Sequence, residues 1–187
     1  APSWAEQDPK DWWDALGKSV MKVILDSGIS VNQIAAMAVD TTCCSVVALD
    51  GSGTPVRPAL IWMDVRSAEQ AEQMVETGDD ALRINSNGCG PVSSEWMIPK
   101  ALWIKQNEPE IFERAVTICE YQDYINLHLT GRLISSINNV STRWHCDYTG
   151  DGVPKSLLKK LDLGELVEKW PQDVLRLGEL VGGLTPR

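Results

Sequence analysis

The chain has 187 residues, of which 43% are apolar and 23% charged, and its formal charge is −9. That length supports one buried core and that balance describes a folded globular chain. The negative charge and scattered Lys and Arg exclude a nucleic-acid-binding surface, and no apolar run has the length of a membrane span or the form of a signal peptide.

In chain order, Asp8-Pro9 predicts a helix start, because Asp caps free N–H groups and Pro suits the first helical position. Trp12, Leu16, Val20 and Val23 follow at helical spacing as a core-facing stripe, and Gly28 ends the helix. Ile34 to Val39 is a continuous apolar run, as expected of a strand covered on both faces. From Ala38 to Arg66 the chain reads as strand, turn, strand, turn, strand, with the apolar runs 46–49 and 59–62 separated by Asp50-Gly51-Ser52-Gly53. Residues 64–77 suit a partly exposed helix, and 85–91 a loop. Pro99 starts a helix to Asn107, and Glu108-Pro109 begins a shorter one. Val116 to Glu120 reads as a strand, and Asp123 to Leu129 as a helix closed by Gly131. Helices over 154–169 complete the folded part, and Gly178 to Pro186 reads as a linker. Strands alternating with helices mean α/β. Eight Trp against one Phe place several indoles at core edges, where each N–H can find a partner.

The five cysteines, at 43, 44, 89, 119 and 146, include no CxxC pair, and only two histidines accompany them. That excludes zinc-ligand spacing, so no metal site is assigned and reduced thiols in a cytoplasmic protein are expected. A thiol-redox or metal protein is disfavoured on the same ground.

Polar residues stand just past buried strands at Asp40-Thr41-Thr42-Cys43-Cys44-Ser45 and at Trp62-Met63-Asp64-Val65-Arg66. Open α/β sheets place ligand crevices at such strand ends, although ordinary strand ends and loops have the same look. Together with WAEQDPKDWWDA at 4–15 and WMIPKALWIKQNEPEIF at 96–112, the 38–66 stretch resembles the FGGY family of carbohydrate kinases, and most nearly its pentulose kinases.

The resemblance implies a ribonuclease-H-like domain of the actin-like ATPase superfamily, incomplete, with a mixed sheet flanked by helices. Residues 1–187 would be the N-terminal domain without its first strands, which carry a DxGT-type phosphate loop, and without the C-terminal domain. Since the family's catalytic aspartate lies in that second domain, no residue here is assigned as the base. The implied activity is phosphorylation of a ketopentose by ATP with Mg2+ in the complete protein. Ribulose, D or L, stands ahead of xylulose, because DTTCCSVV is closer to the ribulokinase-like branch than to the GQMHG-type sequence of xylulokinases. The chain alone is expected to hold no cofactor tightly and to be inactive, and a homodimer is open to it through an open sheet edge or through the face that would meet the second domain. The alternative is a non-catalytic sugar-binding or assembly module.

The substrate-binding candidates are Thr42, Cys43, Cys44, Trp62, Asp64 and Glu95. Cys43 and Cys44 fall where glycerol kinases have a sugar-contacting Arg and Glu; thiols bond weakly, which points to shape selection or backbone contact there. Thr41, Thr42 and Ser45 offer hydroxyls to the same crevice. Trp62 matches the aromatic that packs on sugar carbons, and Glu95 the position of a sugar-contacting Tyr in glycerol kinases. Asp64, in a WxDxR motif, can accept two sugar hydroxyls; it can equally pair with Arg66 or cap the following helix. Asp40 is given a supporting hydrogen-bond role, since its counterpart in relatives is often uncharged. His128 and His145 are assigned structural roles, and Asn138 and Asn139 back the substrate loop.

Overall fold

The computed structural model describes residues 3–86, 91–150 and 152–186. Its larger sheet is antiparallel throughout, in the order β1-β3-β2-β4, from β1 (Glu6–Gln7), β2 (Val46–Leu49), β3 (Ala59–Leu60) and β4 (Thr117–Glu120). Val46 pairs with both Glu120 and Leu60. Period-2 alternation sends Val46, Ala48, Leu60 and Ile118 to one face and Val47, Leu49, Ala59 and Cys119 to the other. Both faces are covered, which is why Val46–Leu49 has no polar alternation and is buried throughout. The first face packs against α2 (Ala68–Glu76), α4 (Met97–Asn107), α8 (Lys155–Lys160) and α9 (Leu166–Lys169). The second packs against α1 (Pro9–Ser27) and α6 (Tyr121–Thr130). Short helices α3 (Arg83–Ser86), α5 (Pro109–Arg114) and α7 (Ile137–Arg143) complete the set, with a parallel pair of β5 (Ile134–Ser136) and β6 (Asp173–Leu175).

Local chemistry explains the ends of these elements. The Asp8 side chain accepts from the Lys10 amide at 2.9 Å, and Gly28 closes α1 at φ 66°. Between β2 and β3, the Asp50 carboxylate accepts from the Ser52 and Thr54 amides, and Gly53 takes φ 79°. Gly131 closes α6 at φ 72°. The α4 helix begins at Met97, two residues before Pro99; a proline fits there because first-turn amides need no intrahelical partner. The helical stretch expected over 154–169 is two helices, interrupted where Asp162 takes φ 51°.

Two expectations fail. The stripe on α1 is covered only over its first turns: Trp12 is buried and Leu16 half-buried, but Val20, Met21, Val23 and Leu25 are exposed. Helical spacing shows which side chains share a face and leaves open whether anything covers it. Residues 34–39 do not form a strand either. Residues 34–38 are exposed and Val39 is half-buried beside α6, where the Gln122 amide donates to the Val39 carbonyl at 2.8 Å; with no ladder partner among the described residues, apolar composition alone makes no strand. Residues 87–90 of the expected loop, Cys89 included, lie outside the described residues. Among the described residues no helix is long and apolar enough to cross a membrane.

Candidate functional site

Antiparallel pairing of β2 with β3 brings the start of one strand beside the end of the other, so Cys44 and Ile61 are neighbours. Beneath them, from the first turn of α4, Lys100 points into the core with no solvent exposure. Its ammonium donates to the Cys44 carbonyl at 2.7 Å and to the Ile61 carbonyl at 2.8 Å. Burial brings its pKa down to about 8, against the opposing fields of Cys44, Glu120, Asp64 and Glu95.

Cys44 itself is in the left-handed region, at φ 67°. Burial pushes its thiol well above the usual range, so it stands as a neutral thiol 3.7 Å from the Cys43 sulfur. Glu120, opposite Val46 at the end of β4, is fully buried. Its Oε1 accepts from the Trp144 indole at 2.7 Å. Its Oε2 has no hydrogen bond of good geometry among the described residues, although the Ser45 and Cys44 amides face the carboxylate. Burial pushes this carboxyl up to about 7. The buried Asp123 holds the Glu120 amide at 2.9 Å and is likewise raised by burial.

Asp64 is fully buried and engaged on both oxygens. Oδ2 accepts from the Ala5 amide at 2.6 Å and an Arg66 terminal nitrogen at 2.7 Å; Oδ1 accepts from Arg66 Nε at 2.9 Å and the Arg66 amide at 3.1 Å. These bonds hold its carboxyl below the usual range in spite of burial. The Arg66 guanidinium lies 4.0 Å from the Trp4 ring and 4.8 Å from the Trp103 ring, and pairs with Glu6 at 2.8 Å. Glu6 also bonds Arg57, and Arg57 bonds Glu108. Of the roles open to Asp64, the pairing with Arg66 is the one displayed; α2 takes no side-chain cap from it.

Trp62, 44% exposed, follows Ile61 directly, so the Lys100 tie fixes its backbone. Glu95 is half-buried two residues before α4 and within the field of Lys100. The Lys100 ammonium thus lies in the field of Cys44, Asp64 and Glu95, with Cys43 and Trp62 adjoining it along the chain, while Thr42 is exposed in the approach to Cys44. Asp40 is exposed. Asn139 bonds Gln122, whose amide donates to the Val39 carbonyl; Asn138 is exposed at the start of α7. His145 is buried against Trp96, and His128 stacks between Trp13 and Tyr124.

Lys100 and Glu120 were missed in the sequence reading. Their signal was a single cation within the apolar run 97–104 and a carboxylate ending a buried strand. Of the candidate side chains Thr42 and Trp62 are exposed, Cys43 and Glu95 half-buried, and Cys44 and Asp64 buried. A concavity of about 640 Å3 lies between α2 and residues 91–94 and includes none of them. Among the described residues the one glycine-bearing strand turn is closed on the Asp50 carboxylate, and no group of three or more acidic, Cys or His side chains could hold a metal.

Two measurements follow from this geometry. Asp64→Asn removes the charge that neutralises Arg66 and should lower unfolding free energy by about 3 kcal/mol. Denaturant titration reads this, and a loss below about 0.5 kcal/mol would make the pair energetically idle. Glu120 gives a pH signature. Because its folded pKa is raised, the stability it contributes is complete below the unfolded value of 4.5 and is lost as pH rises through about 7. The groups facing it are Lys100, Cys44, Cys119 and Asp123. Glu120→Gln cannot ionise, so its melting temperature should gain on the wild type between about pH 5 and about pH 8. A gap that stays constant across that range would mean that Glu120 titrates as a solvated carboxyl.

Comparison with known proteins agrees with this architecture. The model of the FGGY family of carbohydrate kinases, N-terminal domain, matches residues 1–173. A xylulose kinase of Streptomyces coelicolor is 33% identical over 179 residues, covering 95% of this chain and 35% of that protein. A ribulokinase of Shouchella clausii is 30% identical over 202 residues, covering 98% and 36%. Among solved structures, a xyloylose kinase from Brucella ovis superposes with TM-score 0.86 at 27% identity, over 99% of this chain and 38% of that one. The chain therefore spans little more than a third of these relatives, and its actin-like ATPase fold is theirs. It belongs to the FGGY family of carbohydrate kinases, as their N-terminal domain.

Proposed function

We propose that this chain forms the sugar-holding wall of an ATP-dependent kinase that phosphorylates a ketopentose, with ribulose ahead of xylulose. The observation that carries the reading is that the Lys100 ammonium ties the carbonyl of Cys44 to that of Ile61, the residue before Trp62, at the shared end of β2 and β3. It is supported by relatives named xylulose kinase and ribulokinase. In this reading the half-exposed Trp62 indole meets the C–H face of the sugar, and the Glu95 carboxylate accepts hydroxyls. Thr42 and the backbone around Cys43 and Cys44 shape the other side. Asp64, its lone pairs already engaged, serves the sugar by fixing the segment that bears Trp62. Such a wall contributes by holding one hydroxyl in line for transfer, which removes translational and rotational freedom before the chemical step. The donor is MgATP, held outside the residues described.

The test is ADP release by the full-length protein that contains this chain, over a panel of ketopentoses, other ketoses and polyols. Turnover with ribulose above xylulose is expected, and none from the 187-residue chain alone. Turnover confined to glycerol or an aldonic acid, or sugar-dependent turnover by the isolated chain, would overturn the reading.

A further inference from the structure

We propose that Lys100 and Glu120 are positioning residues for the sugar site: they hold Cys44 in its left-handed turn and keep the Trp62-bearing end of β3 at the spacing the sugar needs. The inference rests on the function proposed above and goes beyond it, since neither residue touches the sugar.

Three observations carry it. A non-glycine residue at φ 67° is strained, and it persists only where its surroundings over-determine it. Here the Lys100 ammonium takes the Cys44 carbonyl, and Glu120, anchored on the Trp144 indole, stands opposite Val46, two residues after the turn. The same ammonium also takes the Ile61 carbonyl, so a single side chain sets the spacing between Cys44 and Trp62. Finally, both groups are ionisable side chains taken into the core, Lys100 without exposure and Glu120 at 1%. An aliphatic pair would pack there with no desolvation penalty. The charges earn their place by holding backbone groups that β pairing leaves free, because the β2–β3 ladder pairs only Val46 with Leu60.

The experiment is steady-state kinetics on the full-length kinase carrying Lys100→Met, which keeps a long apolar stem and removes the ammonium. KM for the ketopentose should rise roughly 10- to 100-fold, because a displacement of about 1 Å at a binding wall can cost that much. KM for ATP should stay within about twofold, since the nucleotide does not bear on this turn. Glu120→Gln, which keeps an acceptor for the Trp144 indole, should raise the same sugar KM by a smaller factor. It also carries the test if Lys100→Met fails to fold. A lowered melting temperature with sugar KM unchanged in both variants would reduce the pair to a structural role and overturn the proposal. If the wild-type enzyme shows no sugar-dependent ADP release, it is the kinase reading that falls. The crystal structure of whichever variant folds then decides about the turn: Cys44 released from positive φ supports the proposal, and an unmoved Cys44 overturns it.

Discussion

Placing a lysine ammonium beneath a sheet is costly, because the charge gives up water that a protein interior replaces only in part. For Lys100 the replacement consists of two backbone carbonyls and the negative field of Glu120, Asp64 and Glu95. Those carbonyls belong to two different strand ends, and the lysine belongs to a helix. One group therefore sets the register of α4 against the sheet, the separation of Cys44 from Trp62, and the backbone conformation of Cys44. Its pKa near 8 and that of Glu120 near 7 both reflect the same dry environment. Neither can change its protonation without altering the field felt by the other.

A second set of charges anchors the far side of the same wall. Asp64, Arg66, Glu6, Arg57 and Glu108 alternate in sign through successive ion pairs. The chain of pairs runs from the segment after β3, through the two-residue edge strand β1, to the junction of α4 and α5. So short an edge strand offers few ladder hydrogen bonds, and the network supplies attachment that the ladder lacks. The Arg66 guanidinium between Trp4 and Trp103 adds stacking that a lysine would not give. Fixing Arg66 also fixes the backbone that presents Trp62, so the site is held from below by Lys100 and from the side by Arg66.

Local signals in the sequence marked most of the fold well. Asp8-Pro9 and Gly28 bracket α1, Asp50 to Gly53 turn β2 into β3, and Gly131 ends α6, because caps and turns are decided by the residues that form them. What failed depended on distant partners. Residues 34–39 have strand composition and no strand to pair with among the described residues, and Val20 and Val23 share a helical face that nothing described covers. The site divides in the same way. Trp62, Cys43 and Cys44 are singled out by the family's motifs alone. The saturation of the Asp64 oxygens was not legible in the sequence, since one donor comes from Ala5, 59 residues away. Nothing local marks Lys100, because its carbonyl partners lie 39 and 56 residues away.

A crystal structure of the complete kinase with a ketopentose bound tests the central claim most directly. The arrangement described predicts the sugar against the Trp62 indole, the Lys100 ammonium bonded to the carbonyls of both Cys44 and Ile61, and Cys44 at positive φ. A sugar bound away from this strand end, or bound on Trp62 with Lys100 turned out of the core, would contradict it.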